Sequence, residues 1–449
     1  MKTLTSKKRA STAAGKAKKS PARASKTSSI LRDADQFLLP TYKRQPIVFT
    51  HGRGCYIYDS HGKKYLDFLG GIAVNALGHA HPRIVKVIRR EAGRAIHLSN
   101  LFHHKFQGPL ARKLAQWSGL DRVFFANSGA EAVEGALKLA RLHGRAAGDA
   151  PGAPAPKHRI LALENSFHGR TFGAVSVTAT EKYRLPFAPL VPGVEFVRFN
   201  DVADLESKFD GTVCAVLLET IQGEGGVFPV SGEFWDRARF LASRHGALLI
   251  ADEIQCGLGR TGRYFAYQKF SSMPDVVLVA KPLAAGLPLG AVLTTEAVAQ
   301  RISPGLHGTT FGGGPLACAT ALEFLNIIED ENLLENIRAR GAELREGLSA
   351  LAAKFLFIRE IRGEGLMIGV QLTVDGAPYV AEAMRRGLLI NCTHDSTLRF
   401  LPPFLVTRAQ VRKFLGLLEK IFATTTRKAA APEPANSAPP SHAALAAAR

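Results

Sequence analysis

Between residues 84 and 320, short apolar runs alternate with longer stretches in which apolar residues return every three or four positions. The short runs are 123–126, 160–163, 194–199, 213–218, 247–251 and 275–280. Apart from 194–199, which carries Glu195 and Arg198, they lack polar alternation, so they read as strands covered on both faces, the pattern of a parallel sheet. Spacing such as Val133, Ala136, Leu137 and Ala140 predicts helices between most of them. The order predicts a doubly wound α/β sheet with right-handed crossovers. Ahead of it, residues 50–69 read as a small antiparallel unit with a turn at Asp59-Ser60-His61-Gly62. Behind it come a long helical segment, 316–353, interrupted at Gly341, and a smaller α+β portion over 356–425. The Gly/Ala/Pro-rich stretch 144–157 reads as an inserted surface loop. No internal repeat is present.

Composition narrows the class. With 449 residues, 46% hydrophobic and 21% charged, the chain has the make-up of a globular enzyme with a large core. No run of about 20 apolar residues is present to form a membrane span. The N-terminus has no apolar segment of secretory type. The five cysteines, Cys55, Cys214, Cys256, Cys318 and Cys392, have no metal-ligand spacing, so no metal site is expected and a reducing cytoplasm is. The net charge of +20 is concentrated at one end, where residues 1–36 hold ten Lys/Arg against Asp33 and Asp35. Residues 1–37 are expected to be a disordered basic tail, capable at most of non-specific contact with nucleic acid. The Ala/Pro-rich residues 426–449 are expected to be disordered as well.

The chemistry sits where strands end. The run 275–280 ends in Lys281, and 247–251 leads into Asp252-Glu253-Ile254-Gln255. Alone, a strand-terminal Lys is most often a solvated rim residue, and a lone Asp there is a turn former. Together they are the minimum equipment for pyridoxal phosphate. The Asp keeps the pyridine nitrogen protonated, and the Lys, its amine pKa lowered by desolvation, carries the cofactor covalently. The run 123–126 leads into Asn127-Ser128-Gly129-Ala130-Glu131. Ser128 and Glu131 have capping-box spacing, and the amides of Gly129 and Ala130 would face an anion at a helix N-terminus; an ordinary capped helix shares this motif. Phe167 and Arg170 lie in the loop after 160–163, suited to ring stacking and to a carboxylate, though core and surface roles are the commoner ones. Gly308-Thr309-Thr310-Phe311-Gly312-Gly313-Gly314-Pro315 offers two hydroxyls in a Gly-rich turn.

Taken together, 127–132, 167–171, Gln222-Gly223-Glu224, 252–255 and Lys281 resemble the class III, fold-type I aminotransferases, and the resemblance extends over roughly 39–422. Segments 41–46, 71–79, 387–391 and 398–403 are similar too. The resemblance implies a large cofactor domain, 84–320, and a smaller α+β domain built from both chain ends, 38–83 and 321–425. It implies that Lys281 holds pyridoxal 5'-phosphate and moves the proton, that Asp252 pairs with the ring nitrogen, and that Gln255 bonds the ring hydroxyl. It also places Phe167 on the ring face, Ser128, Gly129 and Ala130 at the phosphate, Thr310 at the phosphate of a neighbouring subunit, and Glu219 near the ring. Arg170, Thr309 and Tyr42 are implied substrate contacts. Arg399 would take the α-carboxylate of glutamate or 2-oxoglutarate, and Glu224 would mask it between half-reactions. The implied activity is transfer of the δ-amino group of N2-acetylornithine to 2-oxoglutarate, a step of arginine biosynthesis, by a cytoplasmic homodimer. N-succinyl-diaminopimelate, ornithine, succinylornithine and 4-aminobutyrate stay open as donors. Pro282, Ala285 and Gly314 depart from the common pattern and bear on loop geometry rather than on reaction class.

Overall fold

The computed structural model describes residues 26–146 and 156–430, which divide into two compact units: the residues up to Thr50 with Tyr58–Lys63, and His51–Ile57 with everything from Lys64 onward. In the first, Lys26–Phe37 is a helix with Thr27, Leu31 and Ala34 half-buried along one face. Helical spacing from Lys26 thus gives order to a stretch expected to be disordered, while 1–25 lie outside the described residues. At the other end the helix Arg408–Ala430 runs past the expected boundary at 426, Thr426 Oγ1 donating to the Phe422 carbonyl at 2.9 Å. Residues 431–449 lie outside the described residues. So do 147–155 of the predicted 144–157 loop, whose first residues continue the preceding helix.

The second unit is built on a seven-stranded sheet: β1 (Arg122–Ala126), β2 (Arg159–Leu163), β3 (Val194–Val197), β4 (Val213–Glu219), β5 (Leu248–Asp252), β6 (Val276–Val279) and β7 (Gly290–Thr294), in the order β1-β7-β6-β5-β4-β2-β3. From β6 to β3 neighbours run parallel, and β7 is antiparallel to both β6 and β1. Every residue of β4 and β5 is buried. Odd and even positions feed two cores, Val216, Leu249 and Val277 on one face and Leu217, Ile250 and Leu278 on the other. That is why these runs carry no polar alternation. β7 escaped the sequence reading because it follows a Pro/Gly-rich stretch that reads as loop.

Helix α1 (Gly129–Ala146) follows β1 directly. The predicted helical segment 316–353 is two helices, Pro315–Asp330 and Leu333–Lys354. The break falls at Asn332, whose φ of +47° ends the first helix, not at Gly341. Gly341 lies inside the second helix because a Cβ there would come within 2.5 Å of the Gly365 carbonyl. A four-stranded antiparallel sheet follows, β8 (Ile358–Glu364), β9 (Met367–Leu372), β10 (Asn391–Thr393) and β11 (Thr397–Phe400), in the order β8-β9-β11-β10. Lys64–Asp67 pairs in parallel with Leu388–Leu389, joining chain segments far apart in sequence.

Candidate active site

The carboxyl ends of the parallel strands deliver the side chains, the usual place for a ligand in an open α/β sheet. Asp252 ends β5 in register with Glu219, which ends β4. Lys281 follows β6, Asn127–Ala130 follow β1, and Phe167–Gly169 follow β2. Their side chains and backbone line one cavity of about 400 Å³ that contains Ser128, Gly129, Ala130, Phe167, Glu219, Asp252, Gln255 and Lys281.

Asp252 is buried; its Oδ2 lies 2.7 Å from His168 Nδ1, and its Oδ1 accepts from the Ile254 amide at 3.0 Å. His168 Nε2 is buried without a partner. Lys281 adopts φ +30° and Ala285 φ +51°, so the turn after β6 holds two non-glycine residues in left-handed backbone. At 285 a glycine would be free of that strain, which gives the departure noted in the sequence a local cost. Burial pushes the Lys281 amine below its ordinary value, while the Glu224 carboxylate pulls it back up. Glu219 accepts from the Phe167 amide at 2.9 Å and the Gly223 amide at 2.8 Å, tying two loops together. Burial nevertheless raises its carboxyl to about 7.

At the start of α1, Ser128 Oγ accepts from the Glu131 amide at 3.2 Å, and Glu131 Oε2 accepts from the Asn127 amide at 2.5 Å. The capping box forms with its reciprocal bond moved one residue back. The Gly129 and Ala130 amides stand in the first turn, where no preceding carbonyl takes them. A Cβ on Gly129 would meet Ile254 at 3.0 Å, so the backbone approach there needs glycine. The dipole of an 18-residue helix adds to those amides.

Arg399, on β11, is fully buried. Its Nη1 donates to Glu224 Oε1 at 2.7 Å and to Gln255 Oε1 at 3.0 Å, and its Nη2 has no partner. Burial alone would raise the Glu224 carboxyl; Arg399, by charge and hydrogen bond, outweighs it and holds the group below its ordinary value. Gln255, assigned to a ring hydroxyl, thus also braces Arg399. Thr309 and Thr310 do not line the Lys281 cavity. They line a second one of about 320 Å³ with Asn127 and Phe311, and Thr309 Oγ1 accepts from Asn127 Nδ2 at 3.0 Å. Arg170 is exposed and does not line the Lys281 cavity; its guanidinium carbon lies 5.4 Å from the ring centre of Phe167, which does. Tyr42 belongs to the other compact unit, exposed, with the Arg44 guanidinium carbon 5.4 Å from its ring centre.

Three contributors were missed. His168 backs Asp252, and its only sequence signal was its place in a strand-end loop. Thr393 Oγ1 bonds the Glu224 carbonyl. Arg362 donates to the Gly226 carbonyl at 2.8 Å and stacks 3.7 Å from the Phe228 ring centre, so the segment that carries Glu224 is pinned on both sides. Both lie more than a hundred residues from that segment and carry no motif.

A buried acid paired on one edge, an aromatic wall, a desolvated amine and a glycine-floored helix N-terminus around one cavity fit pyridoxal phosphate. The fold and this cavity define an aminotransferase of the pyridoxal-phosphate-dependent kind. The model of the class-III aminotransferases matches residues 39–422. The chain is 42% identical to the acetylornithine aminotransferase of Methanocaldococcus jannaschii over 86% of its length and 96% of that protein's. It is 44% identical to that of Gloeobacter violaceus over 87% and 96%. Among solved structures, an ornithine aminotransferase of Toxoplasma gondii with pyridoxal phosphate at its active site superposes with a TM-score of 0.85 at 35% identity, covering 90% of this chain and 95% of the other. The N-acetylornithine aminotransferase of Stenotrophomonas maltophilia gives 0.75 at 35%, covering 86% and 98%. The chain belongs to the class-III aminotransferase family, whose members use pyridoxal phosphate. No described helix is long and apolar enough to cross a membrane.

Proposed function

We propose that this enzyme transfers the δ-amino group of N2-acetylornithine to 2-oxoglutarate, in two half-reactions that share one pocket. The observation that carries this reading is the 2.7 Å pair between Glu224 and the fully buried Arg399, bridged by Gln255 to the cavity of Lys281. The relatives' name supports the donor.

Pyridoxal phosphate, when bound, supplies the carbonyl that exchanges for an amine and a ring that draws off electrons. The rest falls to the chain. Lys281 would hold the cofactor through Nζ, and the same nitrogen would take and return the proton of the reacting carbon as general base and acid. Its desolvation lowers the amine's basicity, so Nζ can stand unprotonated and ready to take a proton. Asp252, oriented by His168 and the Ile254 amide, keeps the ring nitrogen protonated. Phe167 covers one ring face, and Ser128, Gly129 and Ala130 take the phosphate. Glu224 screens Arg399 while the monocarboxylate donor is bound, and swings aside for the α-carboxylate of glutamate. Arg170 takes the donor carboxylate. Thr309 and Thr310, set apart from this chain's own cavity, serve the cavity of a second copy, which makes the working form a homodimer. We place it in the cytoplasm.

The test is a panel of amino donors, N2-acetylornithine, succinylornithine, N-succinyl-diaminopimelate, ornithine and 4-aminobutyrate, ranked by kcat/KM with 2-oxoglutarate. N2-acetylornithine should lead; another donor ahead of it by more than about tenfold overturns the substrate.

A further inference from the structure

Arg170 is exposed, and among the described residues it makes no ion pair and no hydrogen bond. A free guanidinium on a surface loop ordinarily samples many rotamers. Here it does not hang free. Its carbon sits 3.5 Å from the centre of the Tyr183 ring, the distance of face-on stacking, and 5.4 Å from that of Phe167. The two rings meet edge to face, 6.3 Å apart at 86°. Phe167 lines the cavity. The guanidinium is therefore held between a ring that walls the active site and a ring outside it, its N–H groups free for a carboxylate.

Tyr183 is itself fixed. It lies in the one-turn helix Glu181–Arg184, with its amide donating to the Thr180 carbonyl at 2.9 Å. The next residue anchors that turn: Arg184 Nε donates to the Ala179 carbonyl at 3.4 Å, and its guanidinium carbon lies 4.9 Å from the Phe196 ring centre, on β3. The platform is thus tied to the large sheet rather than to the loop it serves.

We infer that Tyr183 is a positioning residue that determines specificity: its ring face preorganises Arg170 for the carboxylate of an ω-amino donor. The inference rests on the donor reading above. Stacking on an aromatic face leaves all five N–H donors, which lie in the guanidinium's own plane, unspent, which an ion pair would not. The α-carboxylate of glutamate goes to Arg399, which Tyr183 does not touch. The tyrosine therefore acts on one substrate of the pair and not on the other.

The experiment uses cofactor-loaded Tyr183→Ala and Tyr183→Phe. In the Ala variant KM for N2-acetylornithine should rise about fivefold with kcat within about twofold, while KM for glutamate and 2-oxoglutarate stays put. Tyr183→Phe keeps the ring face and should restore the donor KM. A merely structural role would raise both KM values together and shift the absorbance of the bound cofactor. An Ala variant whose donor KM moves less than about twofold, or whose glutamate KM rises equally, overturns the inference. If the wild type prefers another carboxylate-bearing ω-amine, the substrate reading fails alone, and the same KM split on that donor decides the tyrosine. If it uses no such donor, both fall.

Discussion

Replacing Glu224 by Gln takes one charge from the pocket and almost no volume. In the native pair the carboxylate accepts from Arg399 Nη1 at 2.7 Å, so an incoming α-carboxylate must displace it. A hydrogen bond to a charged group contributes about 1.5–3 kcal/mol net, and about half survives when the acceptor becomes a neutral amide oxygen. The Gln variant should therefore favour the dicarboxylate by about 0.8–1.5 kcal/mol, a gain of about four- to twelvefold in affinity. The Glu224 side chain is 32% exposed, which places the effect at the lower end and makes it shrink with added salt. The assay is KM for 2-oxoglutarate and for glutamate at two ionic strengths, each half-reaction followed by the absorbance of the bound cofactor. KM for N2-acetylornithine should stay within about twofold, with glutamate now a stronger competitor. A 2-oxoglutarate KM that is unchanged or higher in the variant refutes the masking role.

Glu219 gives a pH-dependent stability. Its carboxyl is raised to about 7 in the fold, so between its ordinary value of 4.5 and 7 the native state holds a proton that the unfolded chain has lost. Stability from this group is complete below that window and falls by about 3 kcal/mol as pH rises through it. Denaturant melts of apoprotein should show this slope in the wild type and not in Glu219→Gln; equal slopes would contradict the assignment. Arg362→Ala loses the bonds to Gly226 and the stack on Phe228 and should lower stability by about 3 kcal/mol while raising KM for glutamate. Arg362→Lys should not rescue it, because an ammonium cannot stack flat and fork to a carbonyl at once; thermal melts and KM together check this.

The sheet was legible because burial on both faces writes itself as unbroken apolar runs, and the strand ends then named Asp252 and Lys281, while Glu219 came only from the family resemblance. β7 was hidden because Gly290 opens it directly after a turn rich in Pro and Gly, and register with β1 and β6, not local propensity, makes it a strand. The helix break at Asn332 was misplaced to Gly341 because a glycine that accommodates a neighbouring backbone looks locally like one that ends a helix. Within the site, groups supplied by a strand end or a helix start could be read from their flanks. His168, Thr393, Arg362 and Tyr183 could not, since what each does depends on a partner brought near by the fold alone.

The central claim is a covalent bond between the cofactor and Lys281 in the cavity of Asp252. Borohydride reduction of the native enzyme, followed by digestion and mass mapping, tests it directly. The account predicts one reduced cofactor on the peptide that contains Lys281, and none anywhere in Lys281→Ala. A label on a different lysine, or an unlabelled wild-type protein saturated with pyridoxal phosphate, would contradict it.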